Sequence, residues 1–134
     1  MKGKLFDASA SINIMIRKGG GALKLLKGQN ILDLTIYEVG NALWRLDSLE
    51  KKISSKQACM VLESFMLIMQ YLQVLNINGV ERSVKEFSAE NRITFYDASY
   101  LIAAERSDLV LVTDDKVLER AASRKVEVLH SDDL

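Results

Sequence analysis

The chain has 134 residues, enough for one domain around one core. Its 18 basic and 18 acidic residues cancel, so net charge announces no nucleic-acid partner and any basic surface must be local. With Cys59 the only cysteine and His130 the only histidine, an internal disulfide and a cysteine/histidine zinc site are excluded.

The opening "MKGKLFDASAS" has no long apolar run, so no signal peptide is expected there. Within it, residues 4–7, "KLFD", predict a first strand. A helix is predicted over 11–18 with Ser11 as its cap, and the glycines at 19–21 break it. A short helix follows over 22–28, stopped by Gly28. "ILDL" at 31–34 predicts a second strand. Thr35 then opens a helix whose apolar stripe runs through Ile36, Val39, Leu43 and Leu46. A second long helix is predicted over 54–73, apolar round more than half its circumference, so protein must cover it. Together the two could form a helical arm over 35–73.

"VLNI" at 74–77 predicts a third strand, followed by a short helix near 80–90 and another opened by Thr94. "LVLV" at 109–112 is the clearest buried strand, and after a further helix "VEVL" at 126–129 is the last. The uncharged stretch from Ser64 to Val80 carries Gln70, Gln73, Asn76 and Asn78 and falls short of the ~20 apolar residues of a membrane helix. No membrane association is expected, and a reduced, cytoplasmic setting fits the lone cysteine. Short apolar strands alternating with helices predict an α/β fold: a mostly parallel five-stranded sheet flanked by helices in three α/β/α layers, in one domain spanning 1–134. In such a sheet the loops leaving the strand carboxyl ends gather on one edge, where ligands bind.

The acids fall at that edge. Asp7 ends the first strand, Glu38 lies in the first turn after the second, and Asp114 and Asp115 follow the fourth. Asp97 reaches the edge if the chain climbs back through "NRIT". Thr35/Glu38 and Thr94/Asp97 also have capping-box spacing, so helix capping alone could explain each pair. Four acids from four distant segments, without adjacent basic partners, are harder to explain by capping. Clustered carboxylates raise one another's pKa and destabilise a fold, and a divalent cation removes that cost. Oxygen-only ligands suit Mg2+ or Mn2+.

The segments "LFDASASI", "LTIYEVGNALW", "ITFYDASYLIAAE" and "LVLVTDDKVL" resemble the four signature segments of the PIN domain, most closely the VapC toxins of prokaryotic toxin–antitoxin pairs. The resemblance implies a PIN-like, Rossmann-like sheet and Mg2+- or Mn2+-dependent endoribonuclease activity. It maps Asp7, Glu38, Asp97 and Asp115 onto the four acids, with Asp114 at the variable place, where it could assist the metal. It maps Thr113 and Ser9 onto the small polar residues beside them. It also implies a homodimer and a cognate antitoxin partner. With His130 outside these segments, water activated by the ion is the expected nucleophile. Asn41 and Arg45, one and two turns after Glu38, could touch RNA, and Arg17, Lys18, Lys24 and Lys27 around the glycine run could supply a local positive field. The rival expectation is a non-cleaving RNA-binding or scaffold protein on the same fold.

Overall fold

The computed structural model describes residues 2–134. Five parallel strands, β1 (Lys4–Phe6), β2 (Asn30–Leu32), β3 (Gln73–Leu75), β4 (Val110–Val112) and β5 (Val128–Leu129), form one sheet in the order β3-β2-β1-β4-β5. The chain winds outward from β1 through β2 to β3, then returns to the other side of β1 for β4 and β5. The β1/β4 junction is therefore the topological switch point, where ligands of open parallel sheets bind.

The pleat divides the three central strands, β2, β1 and β4, between two cores. Phe6, Ile31 and Val112 face one way, and their neighbours Leu5, Leu32 and Leu111 face the other. The first face is covered by α1 (Ala8–Lys18), α2 (Ala22–Leu26), α3 (Thr35–Trp44) and α4 (Ser55–Met69) through side chains such as Ile14, Leu26, Val39 and Phe65. The second is covered by α5 (Glu81–Asn91), α6 (Phe95–Arg106) and α7 (Lys116–Ala122) through Val84, Leu101 and Leu118. A strand with both faces buried reads as an unbroken apolar run, which is why "LVLV" stood out. The α/β/α layering is as the sequence predicts, with every strand pair parallel.

Several local expectations need correction. The first helix begins at Ala8 rather than Ser11, because Asp7 is its cap and accepts from Ala10 N at 2.9 Å. Ser11 lies inside the helix and is buried, its hydroxyl donating to Asp7 O. Gly19 ends α1 at a φ of +50°, a conformation open to glycine at little cost, and its N–H returns to Met15 O. Thr35 does not cap α3, which has no side-chain cap. Its hydroxyl points into the sheet instead and accepts from Leu32 N at 3.0 Å.

The predicted arm lies against the body. Val39, Leu43, Ala58, Phe65 and Ile68 share one core with Ile12 and Ile14 of α1. A five-residue π-helical turn, Arg45–Leu49, lets the chain leave α3, and Ser54 with Gln57 forms a full capping box that starts α4. The outer face of α4 is only partly covered: Met60 and Leu67 are 57% and 67% exposed. No helix among the described residues is long and apolar enough to cross a membrane.

Candidate active site

A cleft of about 600 Å³ opens at the switch point, and Asp7, Glu38, Asp97 and Asp115 all line it. The four acids come from the end of β1, the first turn of α3, the first turn of α6 and the cap of α7. Arg45 is the one basic side chain among the lining residues, and Asn41 lies beside it.

Asp7 is the most enclosed acid, 5% exposed. Ser9 Oγ and Ala10 N donate to its Oδ1, and Thr113 Oγ1 donates to its Oδ2. The same two hydroxyls accept from the next loop: Ser9 from Asp114 N at 3.0 Å and Thr113 from Asp115 N at 3.1 Å. Each hydroxyl thus spends its proton on Asp7 and its lone pair on the β4–α7 loop. Ser9 and Thr113 are the staples that hold the first acid to the segment bearing the fourth. Burial nevertheless pushes Asp7 up to about 6, outweighing these hydrogen bonds, with the charge of Glu38 adding to it.

Glu38 is held by Tyr100, whose phenol donates to Oε1 at 2.7 Å. Burial raises its carboxyl, the Tyr100 bond opposes that, and the charge of Asp115 raises it further. Asp115 caps α7, its Oδ1 accepting from Val117 N and Leu118 N, and no hydrogen bond restrains its Oδ2 among the described residues. Asp97 differs from the other three. Thr94 Oγ1 accepts from Asp97 N, but no side-chain bond returns, so this capping box is half made. The Asp97 carboxylate receives no hydrogen bond among the described residues. Burial, then the charges of Asp115 and Glu38, push it to about 6. A half-buried acid facing two other acids with no donor is a stored repulsion.

Asp114 does not join this group. Its carboxylate turns away from the cleft and accepts from Asn13 Nδ2, Ser131 N and Ser131 Oγ, with His130 Nε2 at 3.2 Å. Burial would raise this carboxyl, but the Asn13 and Ser131 bonds win and hold it low. The expectation that Asp114 assists a metal is therefore corrected: it ties the chain's last turn, Ser131–Asp133, to α1. Arg17 is corrected with it, since its guanidinium is spent on Ser131 and Asp132 at that same turn. Lys18 does not line the cleft, and the Lys27 ammonium lies 5.7 Å from the Tyr71 ring centre. His130 sits at this turn as well, far in role from the acids.

Sequence reasoning missed the tyrosines. Tyr37 and Tyr96 line the cleft and are 79% and 58% exposed, while Tyr100 is buried beneath Glu38. The signal was present: "TIYE" and "TFYD" each place a tyrosine directly before the acid.

A four-carboxylate set with no imidazole or thiolate in the cleft has the donor chemistry of an Mg2+ or Mn2+ site. Among the described residues no three acid, histidine or cysteine side chains stand as a ready-made metal group. The unrestrained Asp97 carboxylate and Asp115 Oδ2 are the atoms free to close it.

A parallel β3-β2-β1-β4-β5 sheet with four acids at its switch point defines a PIN-type domain. The chain is 41% identical over 101 residues to the exonuclease VapC9 of Pyrobaculum aerophilum, covering 73% of this chain and 70% of that protein. It is similar to the crystal structure of PAE2754 from Pyrobaculum aerophilum, with a TM-score of 0.78 and 32% identity over 98% of this chain and 85% of that one. A toxin–antitoxin complex from Klebsiella pneumoniae contains a chain of the same fold, with a TM-score of 0.61 and 19% identity over 96% and 97% of the two chains. No family model matches. On these relationships the chain belongs to the VapC family of PIN-domain proteins.

Proposed function

We propose that the chain is a metal-dependent endoribonuclease acting as the toxin of a toxin–antitoxin pair. Asp7, Asp97 and Asp115 would hold Mg2+ or Mn2+, with Glu38 completing the set directly or through water. Bound there, the ion would stabilise charge on the scissile phosphate and make water more acidic. The observation that carries this reading is Asp97, a half-buried carboxylate that has no hydrogen-bond donor among the described residues and faces two other acids. A cation is the simplest partner for it.

The chain's own residues supply the rest. Ser9 and Thr113 fix the rotamer of Asp7, and Tyr100 fixes Glu38. Arg45 and Asn41 offer donors to a phosphodiester oxygen from the cleft wall. Tyr37 and Tyr96 present exposed rings on which bases can stack. The exposed apolar side chains Met60, Met66 and Leu67 of α4 support a protein interface, whether homodimer or antitoxin.

The test is cleavage of linear and circular mixed-sequence RNA with Mg2+, with Mn2+ and with EDTA. Metal-dependent opening of the circle supports the reading. Equal activity in EDTA defeats the metal role, and cutting of linear RNA alone defeats internal cleavage. Binding without any cleavage leaves the chain an RNA-binding protein on a nuclease fold.

A further inference from the structure

A second groove, of about 340 Å³, lies between α7 and the α5–α6 junction. Arg92, Arg120 and Arg124 line it, against a single carboxylate, Glu90, with Ile93 and Val117 as apolar lining. All three arginines are exposed. Among the described residues none has a carboxylate within ion-pair distance, although the chain pairs Lys2, Arg17, Lys52 and Arg82 with acids elsewhere. In a protein of zero net charge, three unneutralised guanidiniums around one groove form a local positive field.

The backbone at Arg92 bears on how the groove can be tested. It is the C-cap of α5 and sits in the left-handed region at φ +54° and ψ +43°. Glycine or asparagine takes that position at less cost. Lys51 and Asp108 share a positive φ, so this conformation makes glycine a well-tolerated replacement at position 92 and by itself assigns the guanidinium no use.

The groove is also connected to the acids. Asp115 caps α7, so Arg120, five residues on, lies about 8 Å along the helix axis at 1.5 Å per residue, and Arg124 follows just past the helix end at Ala122. Ile93 precedes Thr94, the cap of the helix that carries Asp97. Two of the four cleft acids are thus borne by the two segments that wall the groove.

We propose that Arg92, Arg120 and Arg124 form a binding track for the phosphates of single-stranded RNA outside the cleft. The track holds the strand by its backbone, without reading bases. An acidic protein partner is the lesser candidate, since α6 and α7 beside the groove also carry Asp97 and Asp115, and the groove lies on the sheet face opposite α3 and α4. The inference rests on the nuclease reading for its choice of ligand.

The experiment measures binding of a fluorescent, mixed-sequence 20-nucleotide RNA by anisotropy, in EDTA, across a salt series. Each lost phosphate contact should reduce the slope of log affinity against log salt by about 0.7 for a single strand. The triple variant Arg92→Gly, Arg120→Gln, Arg124→Gln should lose about 2 from that slope by the same relation, equally for RNAs of different sequence. Arg92→Gly alone should lose about 0.7 while its melting temperature stays the same or rises, which a purely structural arginine would not show. A second triple variant, Lys51→Gln, Lys52→Gln, Lys56→Gln, removes three exposed lysines elsewhere and should leave the slope unchanged. An unchanged slope in the arginine variant, or an equal loss in the lysine variant, overturns the track. So does displacement of RNA by polyglutamate as readily as by unlabelled RNA. Because no cleavage is needed, intact binding with no metal-dependent cutting counts against the nuclease reading and leaves the track standing.

Discussion

The Tyr100 phenol donates to Glu38 Oε1 at 2.7 Å and lies 2.8 Å from Thr35 Oγ1. Since its one proton goes to the carboxylate, Thr35 must be the donor in the second bond. Thr35 in turn accepts from Leu32 N, so a chain of donors runs from the end of β2 through Thr35 and Tyr100 to Glu38. Burial and the nearby carboxylates raise the Tyr100 pKa well above its ordinary value, so this phenol remains a donor throughout the working range.

Tyr100→Phe removes the one hydrogen bond to the Glu38 carboxylate among the described residues, without opening a cavity. Loss of such a supporting bond should lower activity or metal affinity roughly 10- to 100-fold, with a stability change of about 1–2 kcal/mol. Manganese titration and urea unfolding measure the two. An effect on stability alone would make the chain of hydroxyls merely structural.

Asp115 has two duties that one pair of variants separates. Asparagine caps helices as well as aspartate does, so Asp115→Asn should keep the fold within experimental error and abolish cleavage. Asp115→Ala loses the cap as well and should unfold about 1 kcal/mol more easily. Denaturant midpoints and cleavage assays check both.

Asp114→Ala should show the reverse profile. It strands Asn13 Nδ2 and Ser131 N and removes the acceptor facing His130, so stability should fall by about 2 kcal/mol. Cleavage by the folded fraction should persist, because the Asp114 backbone N–H that binds Ser9 is retained. Complete loss of activity in a folded Asp114→Ala protein would return this residue to the metal set.

In the metal-free protein, Asp7 and Asp97 near 6 predict an unusual pH dependence. Their ordinary value is 3.8, so between about 4 and 6 the folded state binds more protons than the unfolded one. Stability must therefore fall as pH rises through that window and level off above it. For the enclosed Asp7 the cost at neutral pH is roughly 3 kcal/mol, and for the half-exposed Asp97 solvent screening makes it smaller. Asp114, held low, contributes the opposite sign, stability that is lost only as pH falls below its ordinary range. Thermal melts in EDTA should thus drop between pH 4.5 and 6.5. Asp97→Asn should flatten that drop and leave the neutral-pH melting temperature unchanged or higher.

The sequence made the sheet and three of the four acids legible for a simple reason. Buried parallel strands are short apolar runs, and residues just after them must share an edge. Asp97 was harder, because it depends on the chain climbing from α5 to α6 through a left-handed Arg92, a backbone choice that propensity opposes. The pairing of Thr35 with a sheet amide and a tyrosine was hidden by capping-box spacing that the helix does not use. Asp114 and Asp115 are adjacent in sequence but separated in role by the turn of one residue. Contacts with residues 13 and 131, far away along the chain, decide which of them faces the cleft. The arginine groove was invisible for the same reason: Arg92 and Arg120 meet only when α5, α6 and α7 pack.

The central claim is that Asp7, Asp97 and Asp115 share a cation. Anomalous diffraction from crystals soaked in Mn2+ tests it most directly. The account predicts one strong peak in the cleft within bonding reach of all three carboxylates, lost in Asp97→Asn crystals. A featureless map there, with manganese bound elsewhere or nowhere, would contradict it.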